Sequence, residues 1–505
     1  MKNILFVLSD QLRYDAIGAN GNPVVKTPVM DSLAARGISF DRAYTPCPVC
    51  VPARYTLHTG DMPHKTGVYE NHTLPPESAR KSFMQYLQEN GYQTFGAGKM
   101  HFCFPEGLDT KWGFEERKVC DEDNRLEKND FYQDLVKNHY GHVADYKGVR
   151  SEMYYIPQVS QLPQHLQHSH WTVDKCLEFL DHRDKARPFF LMASFEKPHP
   201  PFEPPVPWNK VYRGPDMPAP KQAQDNEDVI TIWNRFQNRY KYRDQGMDRN
   251  LVRQIKAHYY GEVSFLDYNL GRLLQRMEQE DLLKDTLIIL TADHGEMLGD
   301  YNCFGKRSFL DSSARIPLIV VDPNEESGRC DTPVSLLDIF PTVLSFAGIK
   351  PPETAEGESL LALWQEPDRK RQIVGEYETG EYACYMLKDN QYKYIYSVPD
   401  EKEYLFVSDI DPQELVNRAD NPLYKKITSS MRKQLIGYLE KNGISVDDGA
   451  GNWIRYGKKE MAAAQDAYLL FQDPVATIPH IPGYTTTSNE KAAYEFAWLS
   501  SKFKG

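Results

Sequence analysis

The sequence lacks any long hydrophobic run. Its apolar stretches, such as Ile4 to Leu8, are only a few residues long, whereas a transmembrane helix needs about 20 consecutive apolar residues. Ile4 to Leu8 is also too short for the hydrophobic region of a signal peptide, and no small-residue cleavage site follows it. We therefore expect a soluble, cytoplasmic protein with no membrane partner, unless a leader was removed, in which case it would be periplasmic or secreted.

An excess of positive charge is absent as well. The chain has 59 lysine and arginine residues against 71 aspartate and glutamate residues, which gives a net charge of −12. Such a chain offers no general attraction to nucleic acids, so we expect no nucleic-acid partner. An acidic protein that binds an anion must instead concentrate its cationic side chains at the binding site.

Cysteines are few and scattered. There are eight in 505 residues, and Cys47 and Cys50 form the only C-x-x-C pair. This pair fits a redox dithiol or half of a zinc site, but a structural zinc site needs about four ligands and the other cysteines stand singly. Prolines at positions 46, 48 and 52 predict an extended segment that leads into a helix over Ala53 to His58. A nucleophile at that helix start would lie beside backbone N–H donors, which suits an anionic substrate.

Internal repeats are also lacking, and short apolar runs alternate with amphipathic helix patterns along the first 363 residues. This alternation predicts an α/β domain over residues 1–363, with a large, mainly parallel sheet sandwiched by helices. The apolar runs are Ile4 to Leu8, Phe189 to Ala193, Leu287 to Leu290 and Leu318 to Val321. The longest helix pattern places Val263, Leu266, Leu270, Leu273 and Met277 on one face.

The pattern changes after residue 363. Alternating, aromatic-rich segments over Glu376 to Met386, Tyr392 to Ser397 and Glu403 to Val407 predict an antiparallel sheet. A helix is expected near Ser429 to Lys441, and a second one within an otherwise irregular tail around Lys491 to Ser500. Residues 364–505 are therefore predicted to form a smaller C-terminal subdomain with an antiparallel sheet, a helix and a tail.

Polar pairs follow two of the predicted strands. Asp10 and Gln11 close the first strand, and Asp293 and His294 close the strand over Thr286 to Ala292. Ligands collect at the carboxyl ends of parallel strands, so these pairs can converge there. Carboxylate and amide oxygens with one imidazole suit Ca²⁺, Mg²⁺ or Mn²⁺ better than a soft metal. The alternative is that the same residues only cap the helices that follow.

One segment carries a specific pattern. Cys50-Val51-Pro52-Ala53-Arg54-Tyr55-Thr56-Leu57-His58-Thr59-Gly60 fits C-x-P-x-R-x-x-L-x-T-G, and it resembles the signature of type I sulfatases of the alkaline-phosphatase-like superfamily. The resemblance implies that a formylglycine-generating enzyme or an anaerobic maturase oxidises Cys50 to formylglycine. In that family one hydroxyl of the hydrated aldehyde attacks sulfur, and the other later helps to expel sulfate.

Further segments are similar to other sulfatase motifs: Gly98-Lys99-Met100-His101, Lys197-Pro198-His199-Pro200-Pro201-Phe202, and Lys306 shortly before Arg315-Ile316-Pro317. Each has an ordinary explanation by itself: Lys99 as a surface lysine beside a buried histidine, His199 as an imidazole fixed in a turn, and Lys306 as a solvated loop charge. The resemblance implies instead that Lys99 binds nucleophile and sulfate, His101 acts as a base on the covalent intermediate, His199 contacts the sulfate or the leaving oxygen, and Lys306 is a second active-site lysine. Arg54 would steady the nucleophile.

The metal motifs match the same family with one departure. Thr291 to Asp300 is similar to its D-H-G-E-x-L-G-D motif, with Asp293 and His294 as ligands. Ser9-Asp10-Gln11 places glutamine where the family usually has a second aspartate, which removes one negative ligand. The resemblance implies a cation, Ca²⁺ with Mg²⁺ or Mn²⁺ as alternatives, held by Asp10, Gln11, Asp293, His294 and the residue derived from Cys50.

These residues predict a sulfatase that hydrolyses a sulfate monoester of a saccharide or small alcohol. Related enzymes that cleave phosphonate monoesters or phosphodiesters share the same features and form the first alternative. A catalytically silent protein that binds a sulfated ligand is the second. The stretch Trp208 to Arg243 either lines a cavity mouth for the leaving group or is an amphipathic helix that packs on the body. A homo-oligomer is left open.

Overall fold

The computed structural model describes residues 2–71, 81–102, 109–121, 126–150, 154–241, 248–366, 369–461 and 482–483. The described strands form an eight-stranded sheet, a pair and a four-stranded sheet. The strands are β1 Asn3–Ser9, β2 Ile38–Phe40, β3 Ala43–Tyr44, β4 Gln93–Gly98, β5 Glu116–Val119, β6 Phe189–Phe195, β7 Thr286–Ala292, β8 Leu318–Val321, β9 Gly328–Cys330, β10 Val334–Ser335, β11 Ile373–Tyr377, β12 Cys384–Lys388, β13 Tyr392–Ser397 and β14 Lys402–Val407.

The α-helices alternate with these strands up to β10 and become rarer beyond it. They are α1 Pro28–Arg36, α2 Cys50–Thr59, α3 Pro63–Thr66, α4 Phe83–Glu89, α5 Asp130–Lys137, α6 His168–His182, α7 Ile232–Lys241, α8 Arg249–Gln279, α9 Asp311–Ala314, α10 Ile339–Phe346, α11 Leu360–Trp364 and α12 Lys425–Lys441. The apolar runs predicted as strands lie in β1, β6, β7 and β8, and the longest predicted helix pattern lies in α8.

The large sheet has the order β5-β4-β6-β1-β7-β8-β2-β9. Its strands pair in parallel from β5 to β7, and β8 runs antiparallel to both of its neighbours. β1 and β7 consist entirely of buried residues, as expected for strands covered on both faces. The predicted α/β architecture with a mainly parallel sheet is confirmed.

Helices cover both faces of this sheet. Phe190 of β6 pairs with Thr94 of β4, and its ring packs edge-on against Phe83 of α4 at 5.5 Å between centroids. The next residue of β4, Phe95, stacks on Phe179 of α6 at 4.7 Å. Because successive side chains of a strand point to opposite faces, α4 and α6 lie on opposite sides of the sheet.

The second sheet is antiparallel, in the order β11-β12-β13-β14, as predicted. Its residues Tyr377, Met386 and Phe406 belong to one buried cluster with Cys47 and Trp233 of the preceding part of the chain. α12 packs on β12 and β13. The boundary near residue 363 between two domains stays a prediction, and the predicted tail helix around Lys491 to Ser500 lies outside the described residues. Within the described ranges, none of the helices has the length and apolar character needed to cross a bilayer.

Candidate active site

Four neighbouring strands bring most of the predicted site residues to one edge of the large sheet. β4, β6, β1 and β7 are consecutive in the sheet and parallel to one another. The carboxyl ends of parallel strands meet at the same edge, so the residues that follow these strands converge. These residues are Lys99 and His101 after β4, His199 after β6, Asp10 and Gln11 after β1, and Asp293 and His294 after β7.

Helix α2 brings Cys50 and Arg54 to this edge. Cys50 is its first residue, and Arg54 lies one turn further along the same face of the helix. The helix is buried along its whole length and ends at Gly60, whose φ of 70° is left-handed. A Cβ at position 60 would lie 2.8 Å from the ring of Phe340. The backbone and the packing therefore both explain the glycine at the end of the signature.

Arg54 forms hydrogen bonds with residues that follow β1, β4 and β7. Its Nε donates to Asp293 Oδ2 at 3.0 Å, and its Nη2 donates to Asp10 Oδ2 at 3.2 Å. The same Asp10 oxygen lies 2.7 Å from Lys99 Nζ, and Arg54 Nη1 donates to the Lys99 carbonyl at 2.6 Å. All four side chains are fully buried. Two cations therefore balance two carboxylates out of contact with water, which makes each partner essential to the others.

The same strand ends present a group of possible metal ligands. Asp10, Cys50, Asp293 and His294 are buried and place their ligand atoms within 4.8 Å of one another. The side-chain oxygen of Gln11 lies near this group. Its Oε1 accepts from Lys306 Nζ at 3.1 Å, and the same Nζ contacts Cys50 Sγ at 2.7 Å. Oxygen donors with one imidazole fit a hard divalent cation. Across the described residues Cys47 does not join a metal-binding group, which disfavours the zinc interpretation of the C-x-x-C pair.

Positive groups surround the Cys50 sulfur. Lys306 Nζ is 2.7 Å away, and His294 Nε2 is 3.2 Å away. Burial raises the pKa of the Cys50 thiol, but Lys306, Lys99 and His294 together outweigh it, so the pKa lies well below its usual value. By contrast, burial and nearby carboxylates raise the pKa of Cys47. The two cysteines of the pair therefore have opposite electrostatic environments: nearby cations favour the thiolate at Cys50, whereas burial and carboxylates disfavour it at Cys47.

His101 lies beside Cys50. Its backbone is left-handed, with φ 56°, and its N–H donates to Asp121 Oδ1 at 3.0 Å. Its side chain makes a hydrogen bond to the Cys50 thiol. Nδ1 of the same ring is buried and has no hydrogen-bond partner among the described residues. The ring is therefore placed to act on residue 50.

His199 is held by a buried lysine, Lys197, whose role its motif alone does not reveal. Lys197 Nζ donates to the His199 carbonyl at 3.3 Å and lies 3.6 Å from Glu203 and 3.8 Å from Glu262. Burial raises the pKa of Glu203 to about 8 and that of Glu262 to about 7, against the opposing effect of Lys197. The His199 ring nitrogen Nδ1 is 2.8 Å from the Pro200 carbonyl, which places a proton on Nδ1. Lys197 thus fixes the turn that presents His199.

Two further residues, Glu296 and Tyr155, contact the predicted set and were missed as functional residues. Gln11 Nε2 donates to Glu296, whose Oε2 also accepts from the Tyr155 hydroxyl at 2.7 Å. Tyr155 is 141 positions from Glu296, and no local pattern marks it. Glu296 itself stands in the D-H-G-E segment, which was the available signal. Asn71 and His72 follow the signature helix in sequence, which predicts that they face the pocket. Asn71 Oδ1 accepts from the N–H of Val51 at 3.1 Å, at the start of α2.

Arg307 also went unrecognised, although it adjoins Lys306. Its guanidinium makes a two-point contact with the Glu70 carboxylate at 3.0 and 3.1 Å. Tyr377 of β11 donates its hydroxyl proton to the same carboxylate at 2.5 Å. This buried set links the loop that carries Lys306 to the segment after α3 and to the C-terminal sheet.

The aromatic stretch Trp208 to Arg243 packs on the body in its described part. Trp233 is fully buried, with its ring 5.0 Å from Tyr377, and Trp208 packs on Phe265 at 5.5 Å. Arg235 pairs with Glu227 and Asp400. These contacts favour the packing-helix interpretation. The side chains from residue 239 to residue 243 and His72 lie outside the described residues.

A family model described as Sulfatase matches residues 2–349. The chain belongs to the sulfatase family. A second model, described as N-sulphoglucosamine sulphohydrolase, C-terminal, matches residues 299–441. Family membership makes the protein a sulfuric ester hydrolase and confirms the resemblance seen in the sequence. It also implies a divalent cation and a formylglycine.

Two relatives and one solved structure illustrate the similarity. The chain is 29% identical to an arylsulfatase of Clostridium perfringens over 88% of this chain and 96% of that one. It is 28% identical to a choline-sulfatase of Rhizobium meliloti over 83% of each chain. The crystal structure of a phosphonate monoester hydrolase of Agrobacterium radiobacter superposes with a TM-score of 0.76 at 23% identity, covering 88% of this chain and 96% of that one. At that identity the last match shows the fold alone.

Proposed function

We propose that this sulfatase acts on a sulfate monoester of a saccharide or a small alcohol, with a formylglycine at position 50 as nucleophile. The observation that carries the proposal is the environment of Cys50: at the start of α2, between Lys306 and His294 and beside a group of buried metal ligands. The second family model, named for a sulfated sugar, supports a saccharide substrate. The choline-sulfatase relative supports a small alcohol.

Four cationic or titratable side chains act on the nucleophile and the singly charged sulfuryl group. Arg54 and Lys99 steady the nucleophile through their contacts with Asp10. His199 and Lys306 stabilise charge on the leaving oxygen, and a proton reaches that oxygen from one of them. Fixed donors aimed at developing charge are commonly the largest catalytic contribution. The acidic chain thus concentrates positive charge where its anionic substrate binds.

Asp10, Gln11, Asp293 and His294 hold the cation in this proposal, together with residue 50. When bound, the cation polarises the ester and orients the nucleophilic hydroxyl. Arg54 keeps Asp10 and Asp293 in place through one oxygen of each carboxylate. The cation is proposed to be Ca²⁺, with Mg²⁺ or Mn²⁺ as alternatives.

Removing the cation is expected to abolish turnover. Dialysis against a chelator should leave a folded but inactive protein, and adding back Ca²⁺, Mg²⁺ or Mn²⁺ should restore kcat. Elemental analysis of the active protein measures the native metal. Full activity in the chelated protein, or stoichiometric zinc that depends on Cys47, would contradict the proposed site.

Maturation requires a partner. We propose that a formylglycine-generating enzyme or an anaerobic maturase modifies Cys50. All seven described cysteines are free thiols, which suits the reducing conditions of the cytoplasm. The cytoplasmic location and a homo-oligomer stay predictions.

His101→Ala is expected to accumulate protein with a sulfuryl group on residue 50. His101 contacts residue 50 and has a ring nitrogen to receive the proton whose removal releases sulfate. Intact-mass spectrometry after incubation with an aryl sulfate measures the added group. His142→Ala, a change of an exposed histidine, is the control and should show no added mass. His199→Ala and Lys306→Ala should mainly slow the first step, without accumulation.

The alternative reaction, on phosphonate monoesters or phosphodiesters, can be distinguished from sulfate ester hydrolysis by the ratio of kcat/KM values for the two classes of ester. We would compare kcat/KM for an aryl sulfate, a panel of sulfated sugars, choline sulfate and a phosphonate monoester. The proposal expects a sulfate ester to be preferred. A clear preference for the phosphonate, with no sulfated His101→Ala protein, would favour the alternative. No turnover of any ester by the matured protein would favour the silent binder, against which the complete set of catalytic side chains counts.

A further inference from the structure

The amide of Gln11 is held in one orientation. Its side chain is buried, and its Nε2 donates to Glu296 Oε2 and lies 3.4 Å from the Tyr155 hydroxyl. Its Oε1 accepts from Lys306 Nζ at 3.1 Å, on the side of Cys50. An amide has one donor end and one acceptor end. The contact with a carboxylate therefore directs the carbonyl oxygen toward the metal ligands.

Glu296 is an acceptor at every described contact. Its Oε1 accepts from the N–H groups of Leu298, at 3.0 Å, and of Gly305. Its Oε2 accepts from Gln11 and from Tyr155. The side chain is fully buried. Four donors satisfy the two oxygens of the Glu296 carboxylate. A carboxylate at position 11 has no N–H group, so Glu296 would lose one of these donors.

We propose that Glu296, with Tyr155, is the positioning residue that aims the carbonyl oxygen of Gln11 at the cation. The inference rests on the proposed cation site and goes beyond it. An added carboxylate ordinarily strengthens a site for a hard cation. Here an aspartate at position 11 would face the buried charge of Glu296, and two carboxylates at this distance repel each other.

The two positions can be tested as a pair. In Glu296→Gln the new Oε1 can keep the N–H groups of Leu298 and Gly305, while the new NH₂ replaces the oxygen that faced Gln11. Next to native Gln11 this places two donors together and turns the Gln11 amide away from the cation. Next to aspartate at position 11 it supplies the missing donor. Each single change should harm cation binding, and the two together should restore it.

Isothermal titration of Ca²⁺ into metal-free, full-length protein measures this. Gln11→Asp and Glu296→Gln are each expected to weaken binding by about 10–100-fold, the range for residues that orient metal ligands. The double variant should bind within about tenfold of wild type. The control is Gln365→Asp, because Gln365 Nε2 makes the same contact with Glu325 at 2.7 Å on the surface. It should leave the affinity unchanged.

Tighter Ca²⁺ binding by Gln11→Asp alone, or additive losses in the double variant, would overturn this inference and leave the proposed cation site intact. Absence of Ca²⁺, Mg²⁺ and Mn²⁺ binding by the wild-type protein would overturn the cation site and the inference with it. Thermal unfolding of the metal-free proteins gives a second reading. Gln11→Asp should lower Tm and the double variant should recover it, and a double variant with a Tm below both single variants would also overturn the pairing.

Discussion

Cys50→Ala is expected to lower kcat/KM for a sulfate ester on the order of 10⁴-fold or more, as removal of a catalytic nucleophile does elsewhere. Alanine keeps the Cβ and suits the first turn of α2, so the fold should persist. Lys306, His294 and the proposed metal ligands would then surround a methyl group that cannot attack sulfur. Steady-state kinetics on an aryl sulfate, with thermal unfolding in parallel, measures both effects.

Cys47→Ala is the matched control for this change. Cys47 is buried three positions earlier, and it belongs to the cluster that includes Trp233 and Tyr377 rather than to the metal ligands. It should retain turnover. In the active protein, the tryptic peptide with position 50 should carry an aldehyde that reacts with hydrazides, and activity should rise with the modified fraction. Full activity in Cys50→Ala, or in protein whose Cys50 is unmodified, would falsify the mechanism.

Arg54→Met is expected to lower the free energy of unfolding by about 3–5 kcal/mol, the usual cost of removing one partner from a buried ion pair. Asp10 and Asp293 are both fully buried and both bonded to this guanidinium. Without Arg54, Lys99 Nζ still contacts Asp10 Oδ2, but Asp293 loses the guanidinium bonded to its Oδ2 and keeps the more distant His294 imidazole, at 3.6 Å from its Oδ1. Urea denaturation of the metal-free protein measures the loss, and turnover should fall with it because Asp10 and Asp293 are proposed metal ligands.

Arg276→Met is the control for this prediction. Arg276 pairs with Asp181 and Glu280 on the surface of α8, where ion pairs contribute little. Its denaturation midpoint should stay close to wild type. A similar midpoint for Arg54→Met would show that the buried network does not carry the stability that its geometry implies.

Much of the fold was predictable because a buried parallel strand can be recognised from a short run of consecutive apolar residues. β1, β6 and β7 are continuous apolar runs, and the polar residues that follow them mark the functional edge of the sheet. The antiparallel direction of β8 was not predictable, because an apolar run has the same composition in either direction. The shared core of Cys47, Trp233 and the C-terminal sheet was not predictable either, since its members are distant in sequence.

By itself the sequence determined the family of this protein and its predicted site residues: the spacing of Cys50 and Arg54 places them on one helix face, and the strand-end motifs supply the remaining side chains. Only the tertiary structure decided how these groups are held. Lys197 fixes the His199 turn, Arg54 joins two strand ends, and Glu296 with Tyr155 orients Gln11. Such contacts depend on side-chain direction between segments far apart in the chain, and a one-dimensional pattern records spacing but not direction.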